Sequence, residues 1–206
     1  LIALYDSCNG VNWHKQLNWK SNLELKYWTG VTTNATGRVV FLELIGNNLT
    51  GTLPKDFGNL SALTALHLSH NHLSGRIHNQ LNNLSSLRVL DLSNNNLTGQ
   101  IPDVLSHLHS LTDVNLSMND FSGKIPDWFD TMQNLVMLNL FKNNLQGSIP
   151  GSLFLAPKLH SLILTGNALV GKIPDSIQYA TALVNLYLTN NRLSGHIPDM
   201  SSLVNL

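Results

Sequence analysis

Leucines in this chain fall on a fixed beat. From Leu90 to Pro102 the sequence reads LDLSNNNLTGQIP. Leu90, Asp91 and Leu92 alternate apolar and polar, which predicts a short strand with both leucines on one face and Asp91 on the other. The Leu90 position recurs at Leu42, Leu66, Val114, Leu138, Leu162 and Leu186, at a constant interval of 24 residues. An asparagine keeps the same step at Asn47, Asn71, Asn95, Asn119, Asn143, Asn167 and Asn191, and a glycine follows each four positions later, from Gly51 to Gly195. Leu53 and then isoleucines from Ile77 to Ile197 fill the next apolar slot. Proline comes after that slot in every copy except the one with His78. Proline has no N–H for a sheet ladder, so the run into Ile101-Pro102 predicts a turn rather than a continuing strand.

A repeat this regular predicts an α/β solenoid of stacked rungs. On the return side, Phe57, Leu60 and Leu63, then Leu81, Leu84 and Leu87, are spaced by three, which suits short 3₁₀ segments whose side chains eclipse inward. Each strand is expected to pair in parallel with the next at about 4.8 Å, giving a sheet roughly 29 Å wide over six intervals. Strands pack closer than return segments, so the stack should curve with its sheet on the concave side. The repeated asparagines predict a structural ladder. A buried amide offers two donors and an acceptor to the backbone of its own and the neighbouring copy.

Residues 1–38 stand outside the beat and hold Trp13, Trp19 and Trp28, three of the four tryptophans. They predict an N-terminal cap over the first strand, with Leu1 to Ser7 ending a short helix and Asn9-Gly10 supplying a left-handed stop. Residues 39–206 form the array of seven rungs. After Pro198 the spacing shortens to Met200, Leu203 and Leu206, which predicts an open last rung suited to head-to-tail self-association and keeps open a second reading, a structural glycoprotein subunit that stacks into a filament or wall layer.

The pattern LxxLxxLxLxxNxLxGxIP resembles that of leucine-rich repeats, and LSGRIH (73 to 78), FSGKIP (121 to 126) and LSGHIP (193 to 198) resemble the plant-type subclass. Trp28-Thr29-Gly30-Val31 is similar to the N-terminal cap of that family. Lys26 and Thr33 stand where plant caps carry flanking cysteines, so this cap is more similar to algal, protist and bacterial members. The resemblance implies a right-handed horseshoe or superhelix, extracellular placement, and binding rather than catalysis.

Composition narrows the function classes. The formal net charge is zero and only 12% of residues are charged, so no basic stripe points to nucleic acid or an anionic membrane. No apolar run reaches the roughly 18 residues of a bilayer span. Cys8 is the single cysteine, read as a free buried thiol or as a partner for another chain.

Candidate chemistry is sparse. No nucleophile elbow, phosphate loop or zinc-protease helix is present, so no catalytic residue and no cofactor is assigned. His67, His70 and His72 come nearest to a metal set, but their places around the bend predict different directions, and no metal site is assigned. Asn34, Asn48, Asn59, Asn83, Asn96 and Asn115 each begin an N-x-S/T sequon and are expected to carry N-glycans, although Asn115 falls on the concave sheet. The outward central column reads Glu43, His67, Asp91, Asn115, Asn139, Ile163 and Tyr187. It turns apolar late, where Met137, Phe141, Ile163 and Tyr187 are expected to share one binding patch for a protein, peptide or glycan. Asp91, Ser93 and Asn96 are expected as outward positions free to vary in function.

Overall fold

The computed structural model describes residues 1–77, 81 and 83–206; His78, the departure from the proline column, lies outside the described residues. An eight-stranded sheet forms the concave side. Its strands are Val31–Thr33, Val39–Glu43, Ala65–His67, Val89–Asp91, Asp113–Asn115, Met137–Asn139, Ser161–Ile163 and Asn185–Tyr187. From Val39–Glu43 onward every pairing is parallel and advances by one 24-residue copy, as in Leu66 beside Leu42 and Leu90. Alternation does the sorting. Leu90 and Leu92 are fully buried, while Val89 and Asp91 remain half-buried on the open face.

A second sheet runs alongside, which the leucine beat did not foretell. Its seven strands are Thr50–Thr52, His72–Gly75, Asn96–Gly99, Asp120–Lys124, Asn144–Gly147, Ala168–Gly171 and Arg192–Leu193. The expected turn at proline holds, but two to five residues of strand fit before it. Most of these strands send one large apolar side chain inward, such as Leu73, Leu97, Phe121 and Leu145, all fully buried, while Thr50–Thr52 has its buried leucines, Leu49 and Leu53, on either side. The turn glycine ends four of these strands, at Gly75, Gly99, Gly147 and Gly171. Gly99 sits at φ 86°, where an added Cβ would lie 2.9 Å from Arg76 Cγ.

Proline then starts the return segment. Pro54, Pro102, Pro150 and Pro174 are extended and immediately precede the 3₁₀ turns Lys55–Asn59, Asp103–His107, Gly151–Leu155 and Asp175–Tyr179. The copy that carries Pro126 is shifted, with Phe129–Thr131 beginning after Trp128. Phe57, Leu63, Leu81, Leu84 and Leu87 close the third side of the core. Burying one such leucine contributes about 1.5–3 kcal/mol, and the beat repeats that gain at every rung.

The cap is an aromatic cluster. Helix Ile2–Ser7 ends at Cys8, and Asn9 takes the left-handed conformation at φ 58°. Gly10 does not share it; Gly10 instead starts a 3₁₀ turn against the Tyr5 ring. Trp13 meets Trp19 edge-on at 4.8 Å, and Trp19 meets Trp28 at 5.2 Å. Their indole N–H groups donate to the carbonyls of Cys8, Thr29 and Leu23. Within the cap, Val31–Thr33 pairs antiparallel with Val39–Glu43 and so extends the concave sheet by one strand. Cys8 is fully buried, its Sγ donating to the Thr52 carbonyl at 3.4 Å, and burial pushes its thiol up to about 12. A thiol so enclosed is not presented to another chain.

Candidate functional site

The asparagines occupy the bend between the two sheets and speak mainly to backbone. Asn95 Nδ2 donates to the carbonyls of Leu68, Leu92 and Ser93, and its Oδ1 accepts the N–H of Leu73 at 2.9 Å. Asn71, Asn119, Asn143 and Asn191 make the same bonds, to their own copy and the one before, and Asn167 makes them without the bond to the carbonyl two residues back. Asn47 has no preceding rung and pairs with the cap instead. It donates to the Lys15 carbonyl at 3.0 Å and accepts the Lys15 N–H at 2.5 Å. The residue just before each asparagine is left-handed, whether Gly46, His70, Asn94, Met118, Lys142, Gly166 or Asn190.

The concave face is built from the outward residues of the strands. Register sets Ile163 directly between Asn139 and Tyr187, and Met137 between Asp113 and Ser161. Phe141 lies two residues beyond Asn139 on the same face, so Met137, Phe141, Ile163 and Tyr187 fall on three adjacent strands. Tyr187 is 51% exposed and the other three are half-buried. Lys142 Nζ stands over the Phe141 ring at 5.2 Å, a contact that the leucine pattern does not signal.

Central-column residues also hold the chain locally. Asp91 Oδ1 accepts both the N–H and the hydroxyl of Ser93, at 3.0 and 2.7 Å. Ser93 is therefore not a free outward position: it is only 8% exposed, turned down onto Asp91. Asn139 Oδ1 accepts the Phe141 N–H at 3.0 Å, which fixes the backbone carrying that ring.

The histidines go three ways. His67 lies on the concave face against Phe41, with ring centroids 5.2 Å apart. His70 occupies the bend, its Nδ1 2.6 Å from the Asn94 amide, and exposed His72 begins a strand of the second sheet. Among the described residues no three His, Cys, Asp or Glu side chains gather around a common point.

Sequon asparagines differ in access. Asn34, Asn59, Asn83 and Asn96 are exposed, whereas Asn48 and Asn115 are half-buried. Asn48 donates to the Asn12 carbonyl, and Asn115 Oδ1 accepts from the Ser117 hydroxyl at 2.7 Å in the middle of the concave sheet. No helix among the described residues is long and apolar enough to cross a membrane. Ile197 and Val204 are 74% and 84% exposed on the last rung, an edge set by where the sequence stops, and no surface is assigned to it.

Two family models, both described as leucine rich repeat, match the chain. One covers residues 78–121 and the other 38–60, 62–84, 134–155, 158–180 and 182–203. No curated protein matches the sequence. Among solved structures, the plant peptide hormone receptor RGFR1 in complex with RGF2 is 41% identical at TM-score 0.76, over 80% of this chain and 26% of that one. The ectodomain of the Arabidopsis receptor kinase HAESA, in complex with an N-terminally extended IDA peptide hormone, is 30% identical at TM-score 0.86, over 100% of this chain and 37% of that one. A plant ice-binding protein is 25% identical at TM-score 0.66, over 100% of this chain and 81% of that one. The chain thus spans well under half the length of either receptor ectodomain.

Proposed function

This chain belongs to the leucine-rich repeat family, in its plant-type form, and from that premise we propose that it is an extracellular recognition module whose concave face binds an extended peptide or protein segment. One observation carries the reading. Met137, Phe141, Ile163 and Tyr187 place apolar and aromatic surface on three adjacent strands of an open sheet, in a part of the chain without sequons. Aromatic and large apolar groups grouped on an open surface are the usual anchors of a contact site. RGFR1 and HAESA were both solved with peptide hormones, which supports a peptide over a glycan as the ligand. Fold alone would not choose, since a plant ice-binding protein has the same fold. Exposed Asn34, Asn59, Asn83 and Asn96 fit N-glycans on the module's outer surfaces.

Peptide display against the purified chain tests the reading. Selected peptides are expected to lose most of their binding to an Ile163→Arg variant, because a buried contact would be replaced by a charge. Equal binding to both proteins would remove the concave face from consideration.

A further inference from the structure

The concave face is divided by charge as well as by polarity. Its three outward columns, 41/43/45 through 185/187/189, hold acids at Glu43, Asp91 and Asp113 and neither lysine nor arginine. The acids stand on the first, third and fourth strands of the repeat series, and the apolar patch on the fifth to seventh.

None of these charges is required by the fold. One rung after Asp91, Asn115 Oδ1 accepts the same pair of bonds from Ser117, at 3.2 and 2.7 Å, that Asp91 accepts from Ser93. An amide therefore does the structural job of the carboxylate. Asp113 accepts the Thr112 hydroxyl at 2.6 Å, yet Val89, Met137 and Ser161 hold the same strand position without an acid. Glu43 is exposed. Among the described residues the ion pairs are Lys20–Asp6, Lys26–Glu24 and Lys172–Asp175, so all three concave acids stand unpaired. Three like charges along one half of an open face, against one exposed arginine at its border, Arg88, leave a net negative field that favours a cationic partner. They are spread over three strand intervals, about 14 Å, too far apart to enclose one metal ion.

We infer that the occupant is an extended peptide lying across the strands, with basic side chains over Glu43, Asp91 and Asp113 and apolar or aromatic side chains over Met137, Phe141, Ile163 and Tyr187. This rests on the concave-face reading above and adds the ligand's chemistry and its direction along the array. Lys142, over Phe141, puts a positive charge at the apolar end and repels a basic head placed there. Seven strands span about 29 Å, which is roughly nine residues of extended peptide.

The test uses fluorescein-labelled ten-residue peptides that share a Leu-Phe-Leu tail and differ only in a head of three arginines, glutamines or glutamates. Fluorescence anisotropy is read with the whole chain, with an Asp91→Asn/Asp113→Asn variant and with Ile163→Arg. The arginine-headed peptide is expected to bind the unaltered chain at least about tenfold tighter than the glutamine-headed one, with the advantage shrinking in high salt. In the double asparagine variant that advantage should fall to within about threefold, while the urea midpoint stays unchanged. Equal binding of all heads, still abolished by Ile163→Arg, overturns the charge assignment and leaves the concave site standing. Absence of binding by every head, or binding indifferent to Ile163→Arg, overturns the concave site itself.

Discussion

Asn95 Oδ1 accepts the backbone N–H of Leu73, 22 residues earlier, at 2.9 Å, and this bond joins two rungs through a side chain rather than through a sheet. Replacing Asn95 by alanine removes that acceptor together with donors to Leu68, Leu92 and Ser93. The expected loss is about 1–3 kcal/mol for the stranded backbone groups, read as a lower urea midpoint. Leu92→Ala, which leaves a cavity at a fully buried position, should cost about 2–5 kcal/mol. Unchanged melting of Asn95→Ala would remove the ladder from the account of stability.

Met118 offers a gain. It holds the left-handed conformation at φ 53° in a place where the array elsewhere uses Gly46 and Gly166, and its side chain is 42% exposed. A left-handed residue with a Cβ costs about 1–2 kcal/mol, part of which glycine returns as backbone entropy. Met118→Gly should therefore raise stability by about 0.5–1 kcal/mol, whereas Met118→Val should lower it. A glycine variant that melts earlier than the parent would show the strain to be absent.

The Cys8 thiol should be silent until the cap opens. Thiol reagent at pH 8 is expected to label the unfolded chain quickly and the folded chain only at its opening rate. Burial raises the thiol from an ordinary value of 9.0 to about 12 in the folded chain. The unfolded chain therefore ionises first. Stability from this group is whole below about pH 9 and declines as pH rises from there towards 12. Cys8→Ala should flatten that alkaline decline; an unchanged profile would assign it to other groups.

Trp19 lies between Trp13 and Trp28 and also stacks near Tyr5, with centroids 6.1 Å apart. Trp19→Ala should cost about 3–5 kcal/mol and loosen the cap before the array. Hydrogen exchange would register the loss first in the Val31–Thr33 and Val39–Glu43 pair. Uniform loss of protection along all rungs would show cap and array to unfold as one.

The parts that repeat were legible, because 24-residue spacing turns a weak local signal into seven agreeing ones. Inward leucines, the asparagine ladder and the three-spaced return segments could all be read this way. The second sheet could not. Segments such as Asn144–Gly147 carry a glycine and polar side chains around a single inward leucine, so neither a run of alternation nor β-branching marks them as strand. The antiparallel strand Val31–Thr33 occurs once and had no repetition to amplify it. On the candidate site, the apolar column was visible from alternation. What escaped was contact between neighbours outside that column: Lys142 over Phe141, and Ser93 folded down onto Asp91. Such pairings depend on rotamers at a bend, which spacing does not encode.

The bond from Asn47 to Lys15 gives the array an origin. Every later asparagine reaches back to a copy of its own kind, whereas the first is received by a backbone that belongs to no copy. The cap thus serves as a template, supplying once the docking face that each rung then recreates for its successor. Nothing in that relay counts the rungs. Whole 24-residue units can be inserted or deleted in mid-array without disturbing the chemistry of any joint, so the reach of the concave face is a quantity that gene duplication can tune independently of how the fold is started.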